Sequence, residues 1–209
     1  MTPRFVPLLA ALVLTLLAPT AHAGTADHRR WTPPPGPPSA EGYAIPVRRR
    51  VTYSVTTRGA ITASLPDFRR LAQETYDDPR GWRAGGVEFR RVRRGGDFTL
   101  VLASARAVPT FSPTCSSTWS CRVGRFVIIN QQRWQHASPT WNAAGRSLRD
   151  YRHLVVNHET GHWLGRGHAS CPAGGGPAPV MMQQSKGTGG CQFNPWPLGW
   201  EAAAVRGRR

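Results

Sequence analysis

The chain lacks a C-x-x-C pair, a cysteine just behind its N-terminal apolar run, an apolar stretch long enough to span a bilayer and, apart from Lys186, any lysine. Each absence excludes something. Without closely spaced cysteines, a cysteine-ligated metal or a redox dithiol is disfavoured. Without a cysteine after the apolar run, no lipid anchor is indicated. That run, Phe5 to Leu17, falls short of the roughly 20 residues that a membrane helix needs. The near-total use of arginine for positive charge is a compositional bias, so a formal charge of +16 is not in itself a nucleic-acid signal. The arginines are also scattered, at Arg48 to Arg50, Arg69, Arg70, Arg90, Arg91, Arg93, Arg94 and Arg206 to Arg209. They form no clustered basic and aromatic face, and no specific nucleic-acid partner is expected. Such a surface still attracts anionic polymers of a cell wall through long-range electrostatics.

What is present divides the 209 residues into one domain with appendages. Residues 1–23 read as a secretory signal, with Arg4 before the apolar run and Ala21-His22-Ala23 as the cleavage site. The mature protein is therefore expected outside the cell. Residues 24–46 carry Pro33-Pro34-Pro35-Gly36-Pro37-Pro38 and read as an extended linker. Residues 47–209 are expected to form the folded domain. Four cysteines fall within it, Cys115, Cys121, Cys171 and Cys191. In an exported chain an even number favours disulfides, with three connectivities open. The pairs Cys115–Cys121 and Cys171–Cys191 are preferred, because each closes a loop rich in Gly, Ser or Pro.

Val51 to Thr57 alternates and reads as a strand. Ser64 and Pro66 open a helix whose apolar face is Phe68, Leu71, Ala72 and Tyr76, stopped at Asp78-Pro79. Val87 to Val92 and Phe98 to Ala103 read as strands separated by a turn at Arg94 to Asp97. Arg125 to Gln132, with the apolar run Phe126-Val127-Ile128-Ile129, reads as a further strand, and Asn130 to Trp134 as a strand end near a surface cleft. Ser147 and Asp150 form a capping pattern that starts a helix running into His158. Leu198 to Val205 reads as a closing helix. Strands first and a helix after them indicate an α+β fold with one mixed sheet.

That helix ends in His158-Glu159-Thr160-Gly161-His162-Trp163-Leu164-Gly165-Arg166-Gly167-His168, which reads H-E-x-x-H-x-x-G-x-x-H. On a helix, His158 and His162 lie one turn and roughly 40° apart, so both imidazoles can grip one ion. Glu159 projects about 100° further round, where it can flank a water as general base. Gly165 permits a left-handed reversal that brings His168 back as a third ligand. Three neutral nitrogens leave a position open, the arrangement of catalytic rather than structural zinc. His153 lies about 140° round the helix from His158 and is given no metal role. His136 is left unassigned in a loop.

With a methionine downstream, this motif resembles the metzincin clan of zinc peptidases. The run from Cys115 to Trp196 further resembles a family of secreted metzincin-like proteins of high-GC Gram-positive bacteria, catalogued as a domain of unknown function. The matching segments include Cys121 to Arg125, Ile129-Asn130, Arg133-Trp134 and Tyr151 through His168. Cys171-Pro172, Pro177 to Met181, Gly190-Cys191 and Asn194 to Pro197 match as well. The resemblance implies a zincin-like fold with a twisted sheet, a zinc helix and a C-terminal subdomain containing a methionine turn. It implies His158, His162 and His168 as zinc ligands, Glu159 as the base and Met181 in the turn, with Met182 the alternative. It also implies an edge strand that binds substrate backbone, for which Phe126 to Asn130 is the candidate, with a buried internal strand as the equal alternative. Trp134, Trp141 and Trp163 are expected in the core rather than in a subsite. Gln183 stands where many metzincins carry a tyrosine, so the donor to the oxyanion is unassigned.

The function expected is that of a zinc metalloendopeptidase acting on a protein or peptide substrate. The alternatives are a zinc-dependent hydrolase of cell-wall amides and a zinc-stabilised surface module that binds without cutting.

Overall fold

The computed structural model describes residues 45–172 and 174–206. The expected signal, and all of the linker but its last two residues, lie outside them.

A five-stranded sheet in the order β2-β1-β3-β5-β4 organises the fold. β1 (Arg49–Arg58) is flanked in parallel by β2 (Val87–Arg91) and β3 (Phe98–Ala103), and β5 (Phe126–Asn130) continues the parallel set beside β3. Parallel neighbours need crossovers over a face of the sheet, and α1 (Leu65–Asp77) supplies the first. It starts where the Ser64 hydroxyl accepts the Asp67 N–H at 3.2 Å, with Pro66 in the first turn. The fold is α+β, as the order of elements indicated.

β2 pairs with the first half of β1 and β3 with the second half. Residues 92–97 therefore carry the chain across β1 rather than round a hairpin. Asp97 pins this passage, its carboxylate accepting the Thr52 N–H at 2.7 Å and the Thr52 hydroxyl at 2.9 Å. Gly96 has φ of 89°, and a Cβ there would lie 3.0 Å from the Thr52 carbonyl oxygen, so this close approach needs glycine.

One expectation is corrected here. β5 is paired on both sides and offers no free edge to a substrate. Its run of Val127, Ile128 and Ile129 is wholly buried, as internal strands are. The edge beside it is β4 (Cys121–Val123), antiparallel to β5 and too short to show a period of two. The strand ends at Asn130 rather than at Gln132, and Asn130 is buried rather than set at a surface cleft. Its side chain accepts the Gln132 N–H at 2.9 Å and so starts α2 (Gln131–His136), which α3 (Pro139–Ala143) follows.

The main core lies between the sheet and the helices α1 and α4 (Leu148–Trp163). Tyr53 stacks on Phe98 with centroids 5.4 Å apart, and Tyr76 on Phe89 at 4.4 Å. Trp134 and Trp141 are buried there, and Trp163 packs on Phe98 at 4.8 Å. All three tryptophans are thus packing residues. A smaller cluster of Val101, Ala103, Val108 and Ile128 lies beside the 3₁₀ turn Ala105–Thr110. Beyond His168 the chain is irregular until α5 (Gly199–Ala203), somewhat shorter than the helix expected there. Among the described residues no helix is long and apolar enough to cross a membrane.

Candidate metal centre

Helix α4 begins as its capping pattern indicates, with the Ser147 hydroxyl accepting the Asp150 N–H at 3.0 Å. Its end sets the site. Gly165, at φ 82°, donates its N–H to the His162 carbonyl at 3.1 Å, and Arg166 donates to the Gly161 carbonyl at 2.9 Å. These two bonds across a left-handed glycine make a Schellman termination. The reversal carries His168 back toward the two histidines of the helix.

His162 Nε2 lies 3.2 Å from His158 Nε2 and 3.2 Å from His168 Nε2. On the other side of each helical ring, Nδ1 is taken. His158 Nδ1 lies 2.8 Å from the Val180 carbonyl oxygen and His162 Nδ1 lies 2.9 Å from that of Arg166. A carbonyl accepts only, so both rings are N–H donors at Nδ1 and, when neutral, present bare lone pairs at Nε2. Two lone pairs facing each other at this distance repel unless a cation sits between them. A tetrahedral set with metal–nitrogen bonds of about 2.0–2.1 Å has edges of about 3.3–3.4 Å, close to the spacing observed. The three histidines therefore fit one small dication. Among the described residues they are the one group of three or more His, Cys, Asp or Glu side chains with such convergence.

Protonation favours the same state. Burial, and then the neighbouring His162, push the His158 imidazole down to about 3 against the pull of the Val180 carbonyl. Burial lowers His162 as well. His168 is lowered by burial and by Lys186. Neutral imidazole is the form that binds metal. Glu159 is buried beside the triad, and desolvation pushes its carboxyl up to about 8, with Arg122 pulling it back down. A dication held nearby draws such a value down further.

Met181 is the buried methionine of the following loop, at 1 % exposure, while Met182 is only half-buried and lines the cavity. Met181 packs directly against Gly161, where an added Cβ would collide with its sulfur and with Trp82 Cζ2 at 2.7 Å. Its carbonyl accepts the Ala169 N–H at 3.1 Å, clipping the residue after His168 to the loop. The cysteines pair as preferred, Cys115 with Cys121 and Cys171 with Cys191.

Each disulfide closes one wall of a cavity of about 610 Å³ that opens on the histidines. Trp119 and Ser120 contribute from the first loop, and Met182 to Lys186 from the second. Gln183 is on this wall, exposed. His153 is elsewhere: Thr75 donates its hydroxyl to the Leu71 carbonyl at 2.7 Å, so His153 Nδ1–H must donate to Thr75 Oγ1 at 2.8 Å. His136 is exposed at the end of α2 and outside the triad.

Local sequence did not mark Arg122, Trp119, Lys186 or Glu201 as site residues. Glu201 alone carried a signal, as one of only 11 acidic residues and yet the one placed in the closing helix.

A family model described as "Protein of unknown function (DUF3152)" matches residues 42–194. No curated protein matches the chain.

Proposed function

This chain belongs to that family of unknown function (DUF3152), and we propose that it is a secreted, zinc-dependent endopeptidase of metzincin type. One observation carries the reading. Three Nε2 atoms converge, the tautomers of His158 and His162 being set by the Val180 and Arg166 carbonyls, and a buried carboxylate flanks them in the same cavity. Three neutral histidines suit zinc, and the adjacent glutamate favours hydrolysis over oxygen chemistry.

Zinc, when bound, polarises a carbonyl and acidifies water. The chain's residues do the rest. Val180 and Arg166 hold the imidazoles in the ligating tautomer. Glu159, shielded from bulk solvent, takes the proton of the attacking water and returns it to the leaving amine. The open side of the cavity admits an extended chain alongside β4, whose outer edge is unpaired among the described strands. Two disulfides with no free cysteine, and no membrane-spanning helix among the described residues, are compatible with an extracellular setting.

A second reading, hydrolysis of cell-wall amides, is favoured by the presence of Arg122 and Lys186 in a cavity whose one carboxylate is Glu159. The test compares wild type with Glu159→Ala on casein, a peptide library and peptidoglycan, with and without chelator. Chelator-sensitive peptide cleavage lost in the variant is the expected result. Equal activity of the two proteins sinks the proposal, and amine release from peptidoglycan alone selects the second reading.

A further inference from the structure

One guanidinium in the cavity wall is fixed against the end of the histidine helix, and metal ligation does not account for it. Arg122 is the middle residue of β4 and stands opposite Val127. Val127 belongs to the core on the α4 side of the sheet, whereas Cys121 and Val123 pack with the cluster on the other face. By the alternation of a strand, Arg122 therefore projects toward α4. There its Nη2 donates to the His162 carbonyl at 2.7 Å. That same oxygen accepts the Gly165 N–H of the helix termination.

This bond uses one of five donors. The others have no hydrogen-bond partner among the described residues, and the side chain is half-buried in the wall that also holds Glu159, His158 and His162. A strand, a disulfide at the preceding residue and a charge-assisted bond to the helix hold the cation in place. A positive charge so placed needs little reorganisation to meet negative charge that develops beside it.

We propose that Arg122 is a catalytic residue that donates to the carbonyl oxygen of the scissile peptide unit as that oxygen becomes negative. The inference rests on the peptidase reading. In the step, the water oxygen bonds to the carbonyl carbon and the π pair moves onto the carbonyl oxygen. Collapse re-forms the carbonyl and breaks the C–N bond, while the water's proton passes through Glu159 to the departing amine. Arg122 gives up no proton.

Two other roles give different results. A guanidinium that only caps α4 affects stability and not turnover. One that anchors an acidic substrate side chain affects KM, and only for acidic peptides. The experiment measures kcat and KM for wild type, Arg122→Lys, Arg122→Met and Glu159→Ala on a neutral and an acidic peptide. The same proteins are compared for thermal midpoint, zinc affinity by chelator competition, and equilibrium binding of a phosphinic peptide that mimics the tetrahedral state. Arg122→Met is expected to lose about 10²–10³ in kcat on both peptides, with KM within a few-fold and zinc affinity kept. Binding of the phosphinic peptide weakens in parallel, and Arg122→Lys recovers part of both. An unchanged kcat with a lowered midpoint, or a KM increase confined to the acidic peptide, overturns the assignment. Wild type that cleaves no peptide removes the peptidase reading, and this role with it. An active wild type beside an equally active Arg122→Met removes only this role.

Discussion

The carboxylate of Glu201 accepts the backbone N–H of Met181 on Oε1 and that of Val180 on Oε2, each at 2.9 Å. A third donor, the Leu198 N–H, reaches Oε2 at 2.8 Å. Val180 in turn accepts from His158 Nδ1, so a side chain in α5 orients a candidate metal ligand through one intervening peptide unit. Glu201 is completely buried. Desolvation pushes its carboxyl up, and the three backbone donors hold it down.

Replacing Glu201 by glutamine turns one acceptor oxygen into an amide NH₂ that faces a backbone N–H. The loss is expected to be about 1–3 kcal/mol of stability, from a buried donor left without a partner. Zinc affinity should fall about 10–100-fold, as when the residue orienting a ligating histidine is lost. Chemical denaturation and chelator competition read the two effects. A variant with lowered stability and unchanged zinc affinity would show that Glu201 holds only the loop.

Gly161 supplies a second test. Its missing side chain makes room for the Met181 sulfur and for Trp82, whose Nε1–H donates to the Asn157 carbonyl at 2.9 Å. Alanine favours helix over glycine by about 1 kcal/mol at an open position. Here the added methyl has to displace a buried thioether and an indole, at a cost of about 1–3 kcal/mol. Gly161→Ala is expected to lower the denaturation midpoint, and an increase would mean that the loop moves aside freely.

The parts of this site legible in the sequence are those built from neighbours along the chain. Ser147 and Asp150 marked the start of α4, the glycine at 165 marked its reversal, and the histidine spacing marked the convergence. Both disulfides were legible because each closes a loop rich in Gly, Ser or Pro. What was not legible depends on chain segments far apart. β4 has three residues and no period, so the apolar β5 beside it stood in for the edge. Arg122 meets His162 across 40 residues, and Glu201 meets Met181 across 20. No local pattern encodes those distances. The passage of residues 92–97 across β1 is likewise set by Asp97 on Thr52, 45 residues apart.

His153 makes stability depend on pH. Burial, and then the charge of Arg149, hold its imidazole below the ordinary value. The fold thus favours the neutral ring, which packs at a tilt against Trp196 with centroids 4.8 Å apart while its Nδ1–H donates to Thr75. The unfolded chain binds the proton more readily, so this contribution is full above about pH 6.5 and is lost as pH falls below it. The three histidines of the triad are lowered as well, so the measurement is a difference between two proteins. The gap in urea midpoint between wild type and His153→Gln should be larger at pH 7.5 than at pH 5. A gap that does not narrow toward acid pH would mean that His153 is as comfortable charged as neutral.

The Cys171–Cys191 bridge and Glu201 hold the same loop from different sides, and their removal should not be equivalent. The bridge closes a separation of 20 residues that carries Met181 and the cavity wall Met182 to Lys186. Changing both cysteines to alanine releases that constraint on the unfolded chain, a loss of about 3 kcal/mol by loop-closure entropy. Met181 nevertheless keeps its N–H on Glu201 and its carbonyl on the Ala169 N–H. The His158 ring keeps its Val180 partner by the same anchor. The double variant is therefore expected to unfold earlier than Glu201→Gln yet bind zinc more tightly, with peptide KM raised because the wall is freed. Thermal midpoints, chelator competition and KM on one peptide separate these effects. Weaker zinc binding in the cysteine variant than in Glu201→Gln would place the orientation of His158 with the disulfide instead.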